Sequence, residues 1–120
     1  MLWSDVDSTI LKRIPNPEKG YEQKIEVPEF TFLGVKNQPD FGSITIWFYG
    51  NDYTIELKSL KDYFFQYRNT VISYERCISV LYNDLIKVYD PERIVLEIEF
   101  RPRGGISSIM KIDSEWKKED

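Results

Sequence analysis

SYERCISVLYNDLIKVYDPERIVLEIEFR, residues 73 to 101, changes its hydrophobic period once, and that change decides the fold class. Tyr74, Cys77, Ile78, Leu81, Leu85 and Val88 recur at helical steps and form one apolar stripe. Ser73 stands where an N-cap belongs, and Asp90-Pro91 stops the helix because proline lacks the N–H that a further turn needs. From Arg93 the period drops to two, with Ile94, Leu96, Ile98 and Phe100 facing one way as in a half-buried strand.

Working outward from this stretch, Leu57, Leu60, Phe64 and Tyr67 also fall at helical spacing. SLKD, with Ser59 three residues before Asp62, resembles a capping box and predicts a helix over about 59–69. YEQKIEV alternates weakly and SITIWFY strongly, Ile44, Ile46 and Phe48 opposing Thr45, Trp47 and Tyr49. After Gly50-Asn51-Asp52, the short strand YTIEL is expected to fold back on SITIWFY as a hairpin. Beyond residue 101, RGGI supplies a tight turn whose positive φ angles suit two glycines, and SSIMKID returns as the last strand. The order strand, strand, short strand, helix, helix, strand, strand predicts an α+β layer fold, an antiparallel four-stranded sheet with two antiparallel helices on one face. Residues 1–20 are proline-punctuated and weakly periodic and read as an N-terminal arm to a domain over 21–120. EFTFLGVKNQPDFG, residues 29–42, reads as the rim of a pocket rather than as packed structure.

Composition narrows the chemistry. The chain has 120 residues, enough for one core, and a net charge of −4, so no global basic field draws a polyanion and no direct nucleic-acid partner is expected. The single cysteine, Cys77, cannot form an internal disulfide. No apolar run is long enough for a signal peptide or membrane span, so the chain reads as cytoplasmic. With no histidine, imidazole acid–base catalysis, Ser-His or Cys-His pairs and His–zinc sites are excluded, and no metal is expected.

The order of four motifs is more specific than any one of them. PEFT and QPDFG within 28–42, ELKSLKDYFFQYRN at 56–69, SYERC at 73–77 with NDL at 83–85, and FRPRGGIS at 100–107 follow one another at characteristic separations. On these motifs the chain from about Tyr21 to Lys117 resembles the 7-cyano-7-deazaguanine reductases of the queuosine pathway, members of the tunnelling-fold superfamily. The resemblance implies a tunnelling fold, a ring-shaped homo-oligomer with sites between subunits, a guanine-like small-molecule ligand and NADPH as reductant. It also implies a cysteine nucleophile just after EFT-x-L, which attacks the nitrile to give a thioimide. Here that position is Gly34, and GVKN is one residue shorter than the family's usual stretch. Glycine carries no nucleophile.

By the same resemblance, Glu75 anchors the heterocycle, with Glu56, Leu57 and Ser59 also against the substrate, and Asp40 donates a proton. A carboxylate suits a guanine-like edge because it accepts two parallel N–H bonds. Glu75 is equally what a helix N-terminus favours, and Asp40 what a turn after proline favours. Lys58, Lys61 and Arg103, with the Gly104-Gly105 turn, are the resemblance's set for a dinucleotide's phosphates; two lysines three apart on a helix also make an ordinary solvated face. Cys77 is expected to be a buried thiol, since positions i and i+2 on a helix point about 200° apart and Glu75 would face elsewhere. Two functions stay open: a reductase of the queuosine tRNA-modification pathway with an altered mechanism, or a non-reducing paralogue that binds or differently transforms a deazaguanine or pterin.

Overall fold

The computed structural model describes residues 1–117, Arg103 by its backbone alone; residues 118–120 of the expected domain lie outside the described residues. In chain order the elements are β1 (Arg13–Pro15), β2 (Gln23–Leu33), β3 (Pro39–Tyr49), β4 (Tyr53–Ile55), α1 (Leu57–Phe65), α2 (Tyr74–Tyr89), β5 (Arg93–Arg103) and β6 (Ile106–Asp113). The main sheet is antiparallel with strand order β2-β3-β5-β6.

Alternation sets which face is covered. Ile44, Ile46 and Phe48 of β3 lie beside Ile98, Leu96 and Ile94 of β5, and all six are buried. Each such side chain contributes about 1.5–3 kcal/mol when removed from water. Both helices close over this face: Phe30 meets Phe64 and Tyr67 edge-on, Phe32 meets Tyr74, and Phe48 meets Tyr89. The opposite face carries Lys24, Trp47, Glu97 and Lys111, with both lysine ammoniums within 6 Å of the Trp47 ring. The α+β arrangement expected from the change of period is the one observed.

The end signals of α2 act as read. Ser73 Oγ accepts the Arg76 N–H at 3.2 Å, and Asp90 takes the left-handed conformation (φ 43°) while its N–H closes the helix on Ile86 O. The start of α1 differs. Its cap is Glu56, whose carboxylate accepts the Ser59 N–H at 3.1 Å, so the helix begins at Leu57, two residues before the expected start. Ser59 instead works inside the first turn, its hydroxyl donating to Glu56 O and accepting the Lys12 N–H. After Phe65 the chain tightens into a 3-10 turn over Gln66–Asn69. Leu60, Phe64 and Tyr67 are buried as their spacing predicts, whereas Leu57 is exposed.

Two further expectations are corrected. The short strand does not pair with β3, because β2 and β5 already occupy both edges of β3 through longer ladders; β4 turns away and pairs antiparallel with β1, Ile14 opposite Thr54. The stretch 29–42 is mostly strand rather than rim: β2 runs on through a bulge between Val27 and Phe30, which keeps Phe30 and Phe32 on the covered face despite Pro28. Residues 1–20 lie against the rest of the fold. Leu11 is buried, the Tyr89 hydroxyl donates to Lys12 O, and the Arg76 guanidinium stacks on Trp3.

Candidate functional site

The loop joining β2 to β3 is a tight reversal held by its own backbone. The Gly34 N–H donates to Gln38 O and the Asn37 N–H to Gly34 O, both at 2.7 Å, with Asn37 in the left-handed region (φ 62°) that asparagine tolerates. Just before it, Leu33 is clamped to the segment entering α2: its N–H donates to Thr70 O and its carbonyl accepts the Ile72 N–H. This clamp brings the first turn of α2, and Glu75 with it, to the same end of the sheet as Gly34.

Asp40 lies opposite Phe32 on the covered face, with 5% of its surface exposed. It is aimed at position 34: an ideal Cβ on Gly34 would lie 2.6 Å from Asp40 Oδ2 and 2.0 Å from Gln38 Nε2. The room a side chain at 34 would need is therefore taken by the Gln38 carboxamide, whose Nε2 donates to Asp40 Oδ2 at 3.2 Å. Gln38 Oε1 is buried and has no hydrogen-bond partner among the described residues. Sequence reading gave Gln38 no role. Gln38 lies in the loop just before β3, where strand alternation does not reach it.

The other expected residues fall into two places. Glu75 is exposed and faces a cleft toward β6, lined by Ile78, Met110, Lys111, Ile112 and Trp116. The Gly104-Gly105 turn (φ 62° and 82°) closes the β5–β6 hairpin, also at the Leu33 end, since Gly42 pairs with Phe100 in that part of the sheet. Glu56, Leu57 and Lys58 lie with Gln23 at the opposite end of β2, and Ser59 and Lys61 are in the next part of α1. An eleven-residue strand spans roughly 30 Å, and that length separates Glu56 and Lys58, beside Gln23, from the Leu33 end of β2. Lys58 is exposed and pairs with Asp62 at 3.5 Å; Lys61 is exposed beside a groove of about 410 Å³ between β2 and α1. The side chain of Arg103 lies outside the described residues.

Cys77 is fully buried, and burial pushes its thiol pKa well above the ordinary range. It points into the core while Glu75 faces out, as their two-residue spacing predicts. No group of three His, Cys, Asp or Glu side chains that could hold a metal occurs among the described residues, and no helix there is long and apolar enough to cross a membrane.

Comparison with known proteins gives these positions a context. The chain is 43% identical over 101 residues to an NADPH-dependent 7-cyano-7-deazaguanine reductase of Exiguobacterium sibiricum, covering 82% of this chain and 62% of that protein. Proteins of the same name from Alkaliphilus metalliredigens and Bacillus mycoides are 44% and 45% identical over 93 residues, covering 77% of this chain and 56% of each relative. The chain thus spans less than two thirds of the length of these relatives. A crystal structure of the archaeosine synthase QueF-Like in the apo form shares the fold, with a TM-score of 0.70 at 9% identity over 80% of this chain and 95% of that one. The family model described as QueF-like protein matches residues 39–119, well over half of the 120 residues, and the chain belongs to that family.

Proposed function

We propose that this chain binds a guanine-like 7-deazapurine at interfaces between copies of itself, with Glu75 as the anchor, and that it does not reduce a nitrile through a covalent thioimide. The observation that carries the second half is the occupancy of position 34. There is no thiol there, Gln38 and Asp40 fill the space one would need, and the only cysteine is a buried thiol on the core side of α2. The ligand class comes from the names of the relatives. An exposed carboxylate on the first helical turn, beside an apolar cleft, is chemically suited to accept the paired N–H donors of a guanine-like edge.

Assembly follows from the separation of the groups. Glu75, Asp40 and the glycine turn stand at one end of the sheet, Glu56, Leu57, Ser59, Lys58 and Lys61 toward the other, so a site that uses both sets takes them from neighbouring copies. NADPH comes to this chain from the same names. A dinucleotide held by Lys58, Lys61 and the Gly104-Gly105 turn would meet them across a subunit boundary. Asp40 in this reading holds a hydrogen bond at the ligand rather than protonating a thioimide.

The test is titration with 7-cyano-7-deazaguanine, read by calorimetry, intact-protein mass spectrometry and NADPH absorbance. Saturable binding with no mass adduct and no NADPH oxidation is expected. A covalent adduct, or turnover that survives Cys77→Ala, would overturn the chemistry; absence of binding would overturn the ligand.

A further inference from the structure

We infer that Trp3 is a positioning residue for the ligand: its ring holds the Arg76 guanidinium away from the Glu75 carboxylate and so keeps that carboxylate open. The inference rests on the reading of Glu75 as anchor and names what keeps the anchor free.

The competitor stands on the next residue. A guanidinium presents two parallel N–H donors to a carboxylate, the same pattern that a guanine-like edge presents, and it adds a full positive charge. Arg76 and Glu75 are both exposed on the first turn of α2. Neighbouring side chains leave a helix about 100° apart, an angle that a long, flexible arginine stem closes when nothing else holds its head. In the structure it stays open. The guanidinium carbon lies 4.1 Å from the centroid of the Trp3 ring, and among the described residues neither Arg76 nor Glu75 has an ion pair.

The backbone around Trp3 fixes the ring there. The Val71 N–H donates to Met1 O at 3.0 Å, and Leu2 forms a parallel bridge with Val71, which also bridges Leu33. Trp3 then opens a 3-10 turn over Trp3–Asp5, in which the Asp5 N–H donates to Leu2 O and the Val6 N–H to Trp3 O. Beyond the turn, the Asp7 N–H donates to Gln66 Oε1 at 2.8 Å and Gln66 Nε2 donates to Asp7 O at 3.1 Å. The segment is therefore tied, before and after Trp3, to the connector that leads from α1 into Glu75. The ring is 39% exposed and no residue of its turn is buried, so Trp3 adds little to the core; what it holds is Arg76.

A double-mutant cycle read by calorimetry with 7-deazaguanine tests the proposal. Trp3→Ala should weaken binding about threefold, the scale of one exposed carboxylate–guanidinium pair. Arg76→Ala should bind at least as tightly as the wild type, and Trp3→Ala/Arg76→Ala should match Arg76→Ala. Trp3→Phe, which keeps a ring face, should bind like the wild type. Raising the salt from about 0.05 M to about 0.5 M should shrink the Trp3→Ala loss, since the competing pair is exposed. Thermal melting confirms that each chain measured is folded. An equal loss with and without Arg76 would show that Trp3 acts through the fold, and no loss in Trp3→Ala would show that Arg76 does not compete; either result overturns the inference, and a loss in Glu75→Gln alongside it leaves the anchor in place. Failure of the wild type to bind 7-deazaguanine, or unchanged binding by Glu75→Gln, would overturn the anchor and this inference with it.

Discussion

At the scale of single residues, direction matters more than identity. Glu75 and Cys77 are two positions apart on one helix, yet one faces solvent beside an apolar cleft and the other is sealed in the core. The helical period alone makes that separation legible. What sequence could not supply is the path of Gln38: only the closed loop with Asn37 in the left-handed region returns its carboxamide over Gly34. The proposed role of Glu75 as anchor gives a clear measurement. Glu75→Gln replaces two acceptor oxygens by one acceptor and one donor, so an edge presenting two donors meets a mismatch. Affinity for 7-deazaguanine should fall by about 2 kcal/mol, near thirtyfold, by calorimetry, while the melting temperature stays near that of the wild type. Unchanged affinity would remove Glu75 from the site.

At the scale of elements, local signals were read correctly where the partner lies nearby and missed where it lies far off in sequence. Ser73 and Asp90 bracket α2 because both act on their own helix. β4 was misassigned because its partner, β1, lies some forty residues upstream in a proline-punctuated segment with no hydrophobic alternation. The end of β6 shows a contact of the same long-range kind. Arg93 donates to both carboxylate oxygens of Asp113, at 3.2 and 2.8 Å, pinning the last residue of β6 to the first of β5, while the Ser114 hydroxyl accepts the Ile94 N–H. The Arg93 hydrogen bonds hold the Asp113 carboxyl below its ordinary pKa. The sign follows from linkage. A carboxyl whose folded pKa is depressed stabilises the fold above the unfolded value, near 4, and that contribution is lost as pH falls through the folded value. Asp113→Asn should therefore melt at a lower temperature than the wild type at pH 7, with the gap closing on acidification toward pH 2. A gap that is constant with pH would show that the pair contributes through packing alone.

At the scale of the whole molecule, the sheet leaves its outer strands available. Along its free edge β2 is joined to other backbone among the described residues only at Leu33, and the far edge of β6 has no strand beside it there. Long open edges are what natural sheets cover, and joining copies edge to edge covers them without new elements. The proposed site makes the same demand, since Glu56 and Lys58 lie beside Gln23 at one end of β2 and the segment entering α2 is bonded to Leu33 at the other. The resemblance puts these groups in one site; in the fold they lie apart, and the proposed site takes them from neighbouring copies. Light scattering at micromolar protein should show a multimer. The proposed shared site makes a sharper expectation, because damage to its two halves should complement. Chains carrying Glu75→Gln and chains carrying Leu57→Asp, an exposed position whose change spares the core, should each bind 7-deazaguanine weakly. Unfolded or dissociated, mixed and reassembled, they should regain tight sites at roughly a quarter of interfaces, those that draw an intact half from each kind of chain. A mixture that recovers no sites although it forms mixed multimers would show that each chain holds its site alone, and a monomer would remove the shared site altogether.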